Sequence, residues 1–314
     1  MQAKSVQVQA QSYRYLRAVM IGLLLALAAA VFYQTSEQGS FLSSVSAYYY
    51  TPAQAVFVGA LIGLGACMIA LQGMSGAEDT LLNLGGICAI VVAIVPTGRG
   101  TDFQTAVNAC VANRASTKVD CPGTLALQQA SRANVENNVA ALLIVGGLAL
   151  ILSAYILVRD RKSGGGAAGR GWPLAGFLAA LAVWLLGVIA LAASVDWLAG
   201  HAHYIAAGGL LVAIIAVAAA NAHRRQEKPT AKRALASPRE YYYTWTAIAM
   251  LAGAAVLIAL WLGGVITLFW VEILVALLFI AFWTVQTLEL ATAAQGRAVE
   301  RKESVNAELD PSRS

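Results

Sequence analysis

The sequence predicts an all-α membrane protein, a polytopic bundle of eight transmembrane helices. Of its 314 residues, 59% are hydrophobic and only 12% are charged, and the mean hydropathy is +0.67. A soluble domain carries about 25% charged residues, so this composition excludes a soluble class of protein. A helix crosses the hydrocarbon core with about 20 mostly apolar residues, and the chain contains such runs along most of its length. The eight predicted spans are residues 17–33, 53–72, 81–97, 139–158, 173–195, 204–222, 243–262 and 265–288.

The residue types within these spans favour helices over strands. The spans are rich in Ala, Leu, Gly and Val and show no sustained alternation of polar and apolar residues. Strands of a transmembrane barrel alternate in this way, so a barrel is excluded. Glycines such as Gly65, Gly86 and Gly147 should let neighbouring helices approach closely.

The distribution of Lys and Arg predicts the orientation of the bundle. Basic residues are retained on the cytoplasmic side during insertion. With both termini in the cytoplasm, seventeen of the 21 Lys and Arg residues lie inside, and only Arg99, Arg114, Lys118 and Arg132 lie outside. These charges are therefore topology signals that can also contact anionic lipids. The basic run 223–239 contains no aromatic residues for base stacking, so we expect no nucleic-acid partner.

The first span could also be interpreted as a secretory signal. Basic residues precede an apolar run that ends in small residues at 28–30, as in a cleavable signal peptide. Cleavage would leave seven spans. We expect the first span to be retained, because the remaining chain needs it to balance its charges across the membrane.

The loops divide the chain into two four-span halves. The first half is 1–158, and it includes a polar outer loop at 98–138. A Gly-rich cytoplasmic linker at 159–172 joins it to the second half at 173–293, and 294–314 is a charged cytoplasmic tail that we expect to be disordered. The linker lacks the GxxxxGK[ST] pattern of a phosphate-binding loop.

Two of the four cysteines predict a disulfide. Cys110 and Cys121 lie in the outer loop, in an oxidising compartment by the charge distribution, so we expect them to pair. Cys67 and Cys88 lie within spans and are interpreted as small packing residues. The chain contains no CxxC spacing, and we expect neither a metal site nor a cofactor.

Glu272 is the clearest polar residue at membrane depth. It lies in the apolar stretch LFWVEILVALLF, about 12 Å below the outer surface at about 1.5 Å per residue. A carboxylate there needs a partner or takes up a proton. Asp196, His201 and His203 lie near the same depth. An HxH pair is too weak alone to indicate a metal, because helical i, i+2 side chains diverge. A His–carboxylate pair that moves protons or acts as a base remains an alternative to ordinary hydrogen bonding.

The stretch SVSAYYYTP at 44–52 belongs to the same layer. Three consecutive tyrosines cannot all face lipid, so at least one must point into the bundle. The second YYYT, at 241–244, enters from the cytoplasm and is interpreted as an interfacial anchor. The predicted outward-facing pocket comprises Ser46, Tyr48, Tyr49, Tyr50, Asp196, His201, His203 and Glu272.

A second polar pair is predicted on the inner side. Asp79 and Asn83 are spaced i, i+4 at the start of the third span. Asp79 can act there as a favourable charge at a helix N-terminus.

These motifs resemble a family of bacterial polytopic membrane proteins of unknown function. The resemblance rests on Ser-x-Ser-x-Tyr-Tyr-Tyr-Thr at 44–51, a Gly-rich span, a loop Asp at Asp79, an Asn-Leu-x-Gly span, and Phe-Trp-x-Glu at 269–272. It implies a location in the bacterial cytoplasmic membrane. It also implies that Ser46, Tyr48, Tyr49, Tyr50, Asp79, His201 or His203, and Glu272 are family positions, without assigning them chemistry.

Three functions are consistent with the sequence. The favoured one is a lipid- or partner-binding accessory protein whose partners are membrane lipids and a protein in the membrane. The second is a proton-coupled small-molecule transporter that uses Glu272 and the histidines. The third is an outer-leaflet lipid hydrolase or transferase, with a histidine base oriented by Glu272 or Asp196 and with Ser46 as nucleophile or as the group that holds a water. The transporter would also use Asp79 and Asn83 on the inner side, whereas the accessory role needs no polar pathway. The sequence leaves all three open.

Overall fold

A computed structural model describes residues 2–73, 75–95, 121–162, 171–226, 240–285 and 287 of the chain. The described residues form eight α-helices and one short 3-10 helix, which confirms the all-α prediction. The helices are α1 (Gln2–Gln38), α2 (Gln54–Ala70), α3 (Gly76–Ile94), α4 (Cys121–Lys162), α5 (Gly171–Ala193), α6 (Val195–Gln226), α7 (Glu240–Leu262) and α8 (Leu268–Val285), and the 3-10 helix is Val45–Tyr50.

Six of these helices are long and apolar enough to cross a membrane. They contain the segments Gln11–Gln38, Gly76–Ile94, Ala133–Arg159, Pro173–Ala193, Val195–Ala220 and Leu268–Val285. The other two predicted spans form shorter apolar helices, Gln54–Ala70 and Ile248–Leu262. With its 17 residues, α2 is about 26 Å long, against a hydrocarbon core of about 30 Å. The eight crossings and the orientation of the termini stay predictions.

Helix α3 lies at the centre of the packing. It packs most extensively against α6 and α2, and it also contacts α4 and α5. Helix α1 packs on α2. One continuous hydrophobic core joins α1, the 3-10 helix, α2, α3, α6 and α8, and its largest buried side chains include Met20, Tyr48, Phe57, Phe269 and Trp283. The 3-10 helix is therefore part of the core.

Helices α2 and α3 approach closely at a pair of glycines. A Cβ atom added to Gly65 would lie 2.5 Å from the carbonyl oxygen of Gly86, and one added to Gly86 would lie 2.6 Å from that of Gly65. Both distances are far below ordinary contact, so each backbone occupies the space that a side chain would need.

Helices α4 and α5 lie at the edge of the bundle. The Trp184 ring on α5 sits over Gly147 of α4, and its Nε1 donates a hydrogen bond to the Leu143 carbonyl at 2.7 Å. In both helices, none of the residues in the most apolar 18-residue window is buried within the structure. These faces are consequently left to lipid or to another protein.

Two charged residues that the sequence analysis did not place in the core are buried. Arg17 was interpreted as a topology signal, but it is 5% exposed and its guanidinium lies 5.1 Å from the centre of the Trp283 ring on α8. Glu78 is 1% exposed in the first turn of α3, where its amide donates to the Ser75 hydroxyl at 3.2 Å. Arg17 lies where α1 meets α8, which the linear sequence does not reveal.

Several predicted features lie partly or wholly outside the described residues. Of the predicted loop 98–138, the part from Cys121 onward belongs to the continuous helix α4. The Cys110–Cys121 pair, most of the linker 159–172, the tail 294–314 and the tyrosine side chains of the second YYYT lie outside the described residues. Among the side chains that are described, Cys67 and Cys88 are free thiols.

Candidate functional site

The candidate site is built where residues 39–53, the α1–α2 connection, pack on the first turns of α8. Gly39 ends α1 with a φ of 75°, a conformation that glycine adopts without strain. Ser44 then caps the 3-10 helix, because its hydroxyl accepts the Ala47 amide at 3.0 Å. The amide of Phe269, near the start of α8, donates to the Ser43 carbonyl at 2.9 Å. These contacts place Val45 and Ser46 directly beside Glu272.

Glu272 binds the connection through both carboxylate oxygens. Oε2 accepts the amide of Val45 at 2.5 Å, and Oε1 lies 3.1 Å from the Ser46 hydroxyl. Because the turn after α7 runs through Gly264 and α8 begins only at Leu268, Glu272 lies roughly 6 Å along its helix, nearer the helix end than the 12 Å expected from the sequence.

His203 lies on the other side of the same serine. Its Nε2 is 2.9 Å from the Ser46 hydroxyl, and its Nδ1 is 2.7 Å from the carbonyl oxygen of Val95, the capping residue that directly follows α3. The imidazole is 2% exposed. A carbonyl oxygen only accepts, so Nδ1 must carry a hydrogen. The state of Nε2 therefore depends on Ser46.

Glu272, Ser46 and His203 thus form a continuous hydrogen-bonded chain, which we call the relay. The serine hydroxyl has one proton, which allows two complete arrangements. In one, a protonated Glu272 donates to Ser46 and Ser46 donates to a neutral His203. In the other, His203 is an imidazolium that donates to Ser46, and Ser46 donates to an ionised Glu272. The two differ by one proton moved across the serine, so a fully bonded relay holds a single exchangeable proton.

The three tyrosines of the connection have structural partners. Tyr48 is fully buried, and its hydroxyl contacts the Thr35 hydroxyl and accepts the Leu42 amide at 3.4 Å. Because Thr35 donates to the Val31 carbonyl at 2.9 Å, Tyr48 donates to Thr35. Tyr48 therefore braces the connection against α1.

The remaining two tyrosines pack by their ring edges. The ring of Tyr49 is buried and meets the rings of Tyr50 at 5.4 Å and Phe57 at 6.3 Å, both in edge-on geometry. The expectation that at least one tyrosine points into the bundle agrees with these positions. Neither ring is a partner of Glu272 in the structure.

Asp196 and His201 lie apart from the relay. Both are exposed on α6, and the ring of His201 stacks on Trp197 at 4.9 Å with its Nδ1 2.9 Å from the Trp197 carbonyl. The two histidines of HAH thus point in different directions, as i, i+2 positions on a helix must. Only His203 enters the bundle.

Asp79 and Asn83 lie near the start of α3. The carboxylate of Asp79 accepts the Gly73 amide at 3.2 Å, which ties the α2–α3 turn to the first turn of α3. A Cβ added to Gly73 would lie 2.3 Å from the Asp79 amide, so only glycine permits this close turn. Asn83 lies half-buried one turn further along.

The relay also depends on groups that the sequence analysis did not name. The Val45 amide and the Val95 carbonyl are backbone atoms, so no residue type could reveal them. Asn138 of α4 donates to the Ile94 carbonyl at 3.4 Å, beside the group that holds His203. Among the described residues, no three His, Cys, Asp or Glu side chains are grouped so that they could hold a metal ion.

The comparisons with known proteins leave this geometry as the basis for interpretation. No protein-family model matches the chain, and no curated protein or solved structure is significantly similar to it. The resemblance to the bacterial family with the Ser-x-Ser-x-Tyr-Tyr-Tyr-Thr motif stays an expectation from the sequence. What the described residues establish is an all-α chain with six helices suited to a membrane and a buried acid–base relay.

Proposed function

We propose that this chain is a multi-pass membrane carrier that couples the movement of a small solute to the transfer of one proton through the relay. The observation that carries the proposal is the unbroken chain from Glu272 through Ser46 to His203, with distances of 3.1 and 2.9 Å. An acid and a base joined through one hydroxyl can exchange a proton without separating.

Burial supports a role in proton transfer over a purely structural role. Ser46 is 6% and His203 is 2% exposed. Ionisable groups at membrane depth are costly and are commonly found on ion and proton pathways. An apolar pair would pack at such a place without that cost, whereas a proton carrier needs the titratable groups.

The proposed topology has all eight helices crossing a bacterial cytoplasmic membrane, with both termini in the cytoplasm. The distribution of Lys and Arg supports this orientation. The relay would then lie toward the outer face, where the α1–α2 connection, the end of α3 and the start of α8 meet. Since α2 is shorter than the hydrocarbon core, the bilayer would thin locally around it.

A lipid hydrolase is less consistent with the same atoms. The 2.9 Å between Ser46 and His203 is typical of a nucleophile and its base. However, the Ser46 oxygen also bonds Glu272, and His203 is oriented by a backbone carbonyl. An attacking serine would have to give up its bond with Glu272, whereas proton transfer uses every bond in the chain.

A lipid- or partner-binding role is favoured by a different observation. The apolar windows of α4 and α5 have no buried residues, so these two helices offer a broad face to lipid or to another membrane protein. This role can coexist with a carrier, because the exposed face and the relay involve different helices.

Proton flux into proteoliposomes tests the proposal. The purified chain is reconstituted with a trapped pH indicator, and an inward proton gradient is applied with the membrane potential clamped by potassium and valinomycin. A mixture of small solutes is added outside to supply a coupled substrate. We expect the unmodified chain to acidify the vesicles faster than the leak of empty vesicles.

Variants at two neighbouring histidines make the test specific. His203→Ala removes one end of the relay and should reduce the flux to the level of empty vesicles. The matched control is His201→Ala, which removes an exposed imidazole two residues away and should leave the flux unchanged. If the two variants behave alike, or if Ser46→Ala retains full flux, the relay does not carry the proton and the proposal fails.

A further inference from the structure

The α1–α2 connection covers the relay and is the least regular element beside it. Residues 44–47 are buried, yet they belong only to the six-residue 3-10 helix and its cap. A 3-10 helix has poorer hydrogen-bond geometry than an α-helix and is used in short pieces. Of the elements that surround the relay, the connection therefore loses the least backbone hydrogen bonding if it moves.

The connection is attached to α8 mainly through one carboxylate. Polar contacts between them run from the Phe269 amide to the Ser43 carbonyl, and from the Val45 amide, the Ser46 amide and the Ser46 hydroxyl to Glu272. Apart from the Phe269 amide, each of these contacts ends on Glu272. The strength of the attachment consequently depends on the charge of that side chain.

The two arrangements of the relay differ in this charge. Hydrogen bonds to an ionised carboxylate are about twice as strong as those to a neutral acceptor. When the proton is on His203, Glu272 is ionised and holds the Val45 amide tightly. When the proton is on Glu272, the same amide faces a neutral acid. The position of one proton thus sets how firmly the connection is held.

We propose that Glu272 is a proton-controlled latch, which keeps the α1–α2 connection closed over the relay while it is ionised and releases it when it takes up the relay proton. This inference rests on the proposed proton transfer and adds its regulation. Release would expose His203 to the outer side of the membrane, where the connection lies in the proposed topology. Solvent access to His203 and the protonation of Glu272 would therefore change together. Such coupling is what a carrier needs to avoid an open proton leak.

Movement of the connection can remain local. Tyr48 stays bound to Thr35 of α1, and the ring of Phe41 packs against that of Phe269 at 4.8 Å in a tilted geometry, so the two sides of the latch are separately anchored. Gly39 lies at the start of the connection with a positive φ. Residues 43–47 can therefore swing while Tyr48 keeps its place.

Among the titratable groups around the connection, Glu272 is the one whose charge controls the latch. Within the described residues, the polar partners of its carboxylate are Val45 and Ser46, and His203 of α6 reaches it only through Ser46. Tyr48, in the same connection, uses its hydroxyl on Thr35. Asp196 and His201, also on α6, are exposed away from the relay.

Amide hydrogen exchange of the full chain in lipid nanodiscs tests the latch. Exchange is read by mass spectrometry on peptides that cover residues 40–53. Glu272→Gln keeps the shape of the protonated acid without the charge. It should raise exchange of these peptides about tenfold, which is the change in the opening equilibrium expected when a charge-assisted hydrogen bond is replaced by a neutral one. Glu272→Ala removes both acceptors and should raise it further. The control is Glu136→Gln, at an exposed carboxylate on α4, which should change nothing.

The outcomes separate the latch from the proposed function. Ser46→Ala breaks the relay but keeps the Val45 contact, so it should abolish proton flux while exchange of the connection stays within about threefold of the original chain. If either Glu272 variant is folded and its connection exchanges amide hydrogens at the rate of the original chain, the latch is refuted, regardless of the proton flux. If Ser46→Ala transports protons normally, the proposed function fails while the exchange data still judge the latch.

Discussion

Replacing Gly65 by alanine should force α2 and α3 apart. The new Cβ would lie 2.5 Å from the Gly86 carbonyl oxygen and 2.7 Å from a side-chain carbon of Ile90, whereas ordinary contact begins at 3.4 Å. The shortfall of 0.9 Å to the oxygen is large, because a backbone carbonyl within a helix cannot rotate away. Overpacking of this kind costs about 1–3 kcal/mol of unfolding free energy.

The matched control for this change is Gly59→Ala on the same helix. An added Cβ at Gly59 meets nothing within 4 Å. This variant therefore reports only the gain of about 1 kcal/mol in helix propensity that both substitutions share. The difference between the two variants isolates the packing cost.

Thermal and denaturant unfolding in mild detergent, followed by tryptophan fluorescence, measures that difference. We expect Gly65→Ala to unfold with about 1–3 kcal/mol less free energy than Gly59→Ala. Since α3 also carries the Val95 carbonyl that holds His203, Gly65→Ala should lower proton flux as well. Equal stability of the two variants would mean that α2 and α3 do not approach as closely as described, and would refute the reasoning.

Two further predictions concern hydrogen bonds. Tyr48→Phe leaves the Leu42 amide without its acceptor and should lower the unfolding free energy by about 1–3 kcal/mol, measured by the same unfolding experiments. The control is Tyr33→Phe, at a ring 70% exposed on α1, which should change the unfolding free energy little. Equal effects of the two variants would contradict the role of Tyr48 in bracing the connection. Ser75→Ala removes the N-cap of α3 at a cost of about 1 kcal/mol and should speed amide exchange in its first turn. The control is Ser153→Ala, at an exposed mid-helix hydroxyl of α4, which should not affect amide exchange in α3. If amide exchange in the first turn of α3 is unchanged in Ser75→Ala, Ser75 does not cap the helix.

In the relay, Ser46 lies between Glu272 and His203 and bonds to both. If Glu272 and His203 were in direct contact, one hydrogen bond would join them whether the proton lay on the carboxylate or on the imidazole. With Ser46 between them, each end of the chain needs the hydroxyl, and only one proton fits the fully bonded state. For the proposed carrier, this predicts one proton per transport cycle.

The helices were largely predictable from local chemistry. Long runs of apolar residues must form helices in a bilayer, since each backbone amide and carbonyl has to be satisfied within the segment. The positions of α1 to α8 follow the eight predicted runs. Helix α2 is shorter than the predicted span 53–72, because it begins one residue later, at Gln54, and ends two residues earlier, at Ala70.

The partners of the polar side chains depended on how the helices pack. The sequence identified Glu272 as a carboxylate that needs a partner and placed Ser46 and His203 in its layer, but it could not choose between His201 and His203. That choice follows from the rotation of α6, which turns one imidazole into the bundle and the other onto Trp197. The burial of Arg17 against Trp283 has the same origin, since it joins residues far apart in the chain.

The sequence by itself determined that this protein is an all-α chain suited to a membrane, and that Glu272 needs a polar partner, because hydropathy, helix length and charge are properties of consecutive residues. Only the tertiary structure decided that Ser46 joins Glu272 to His203, that the Val45 amide and the Val95 carbonyl hold the two ends, and that Tyr48 braces α1. These contacts join backbone atoms and distant helices. Their geometry is set by how the helices rotate and approach, which no local pattern encodes.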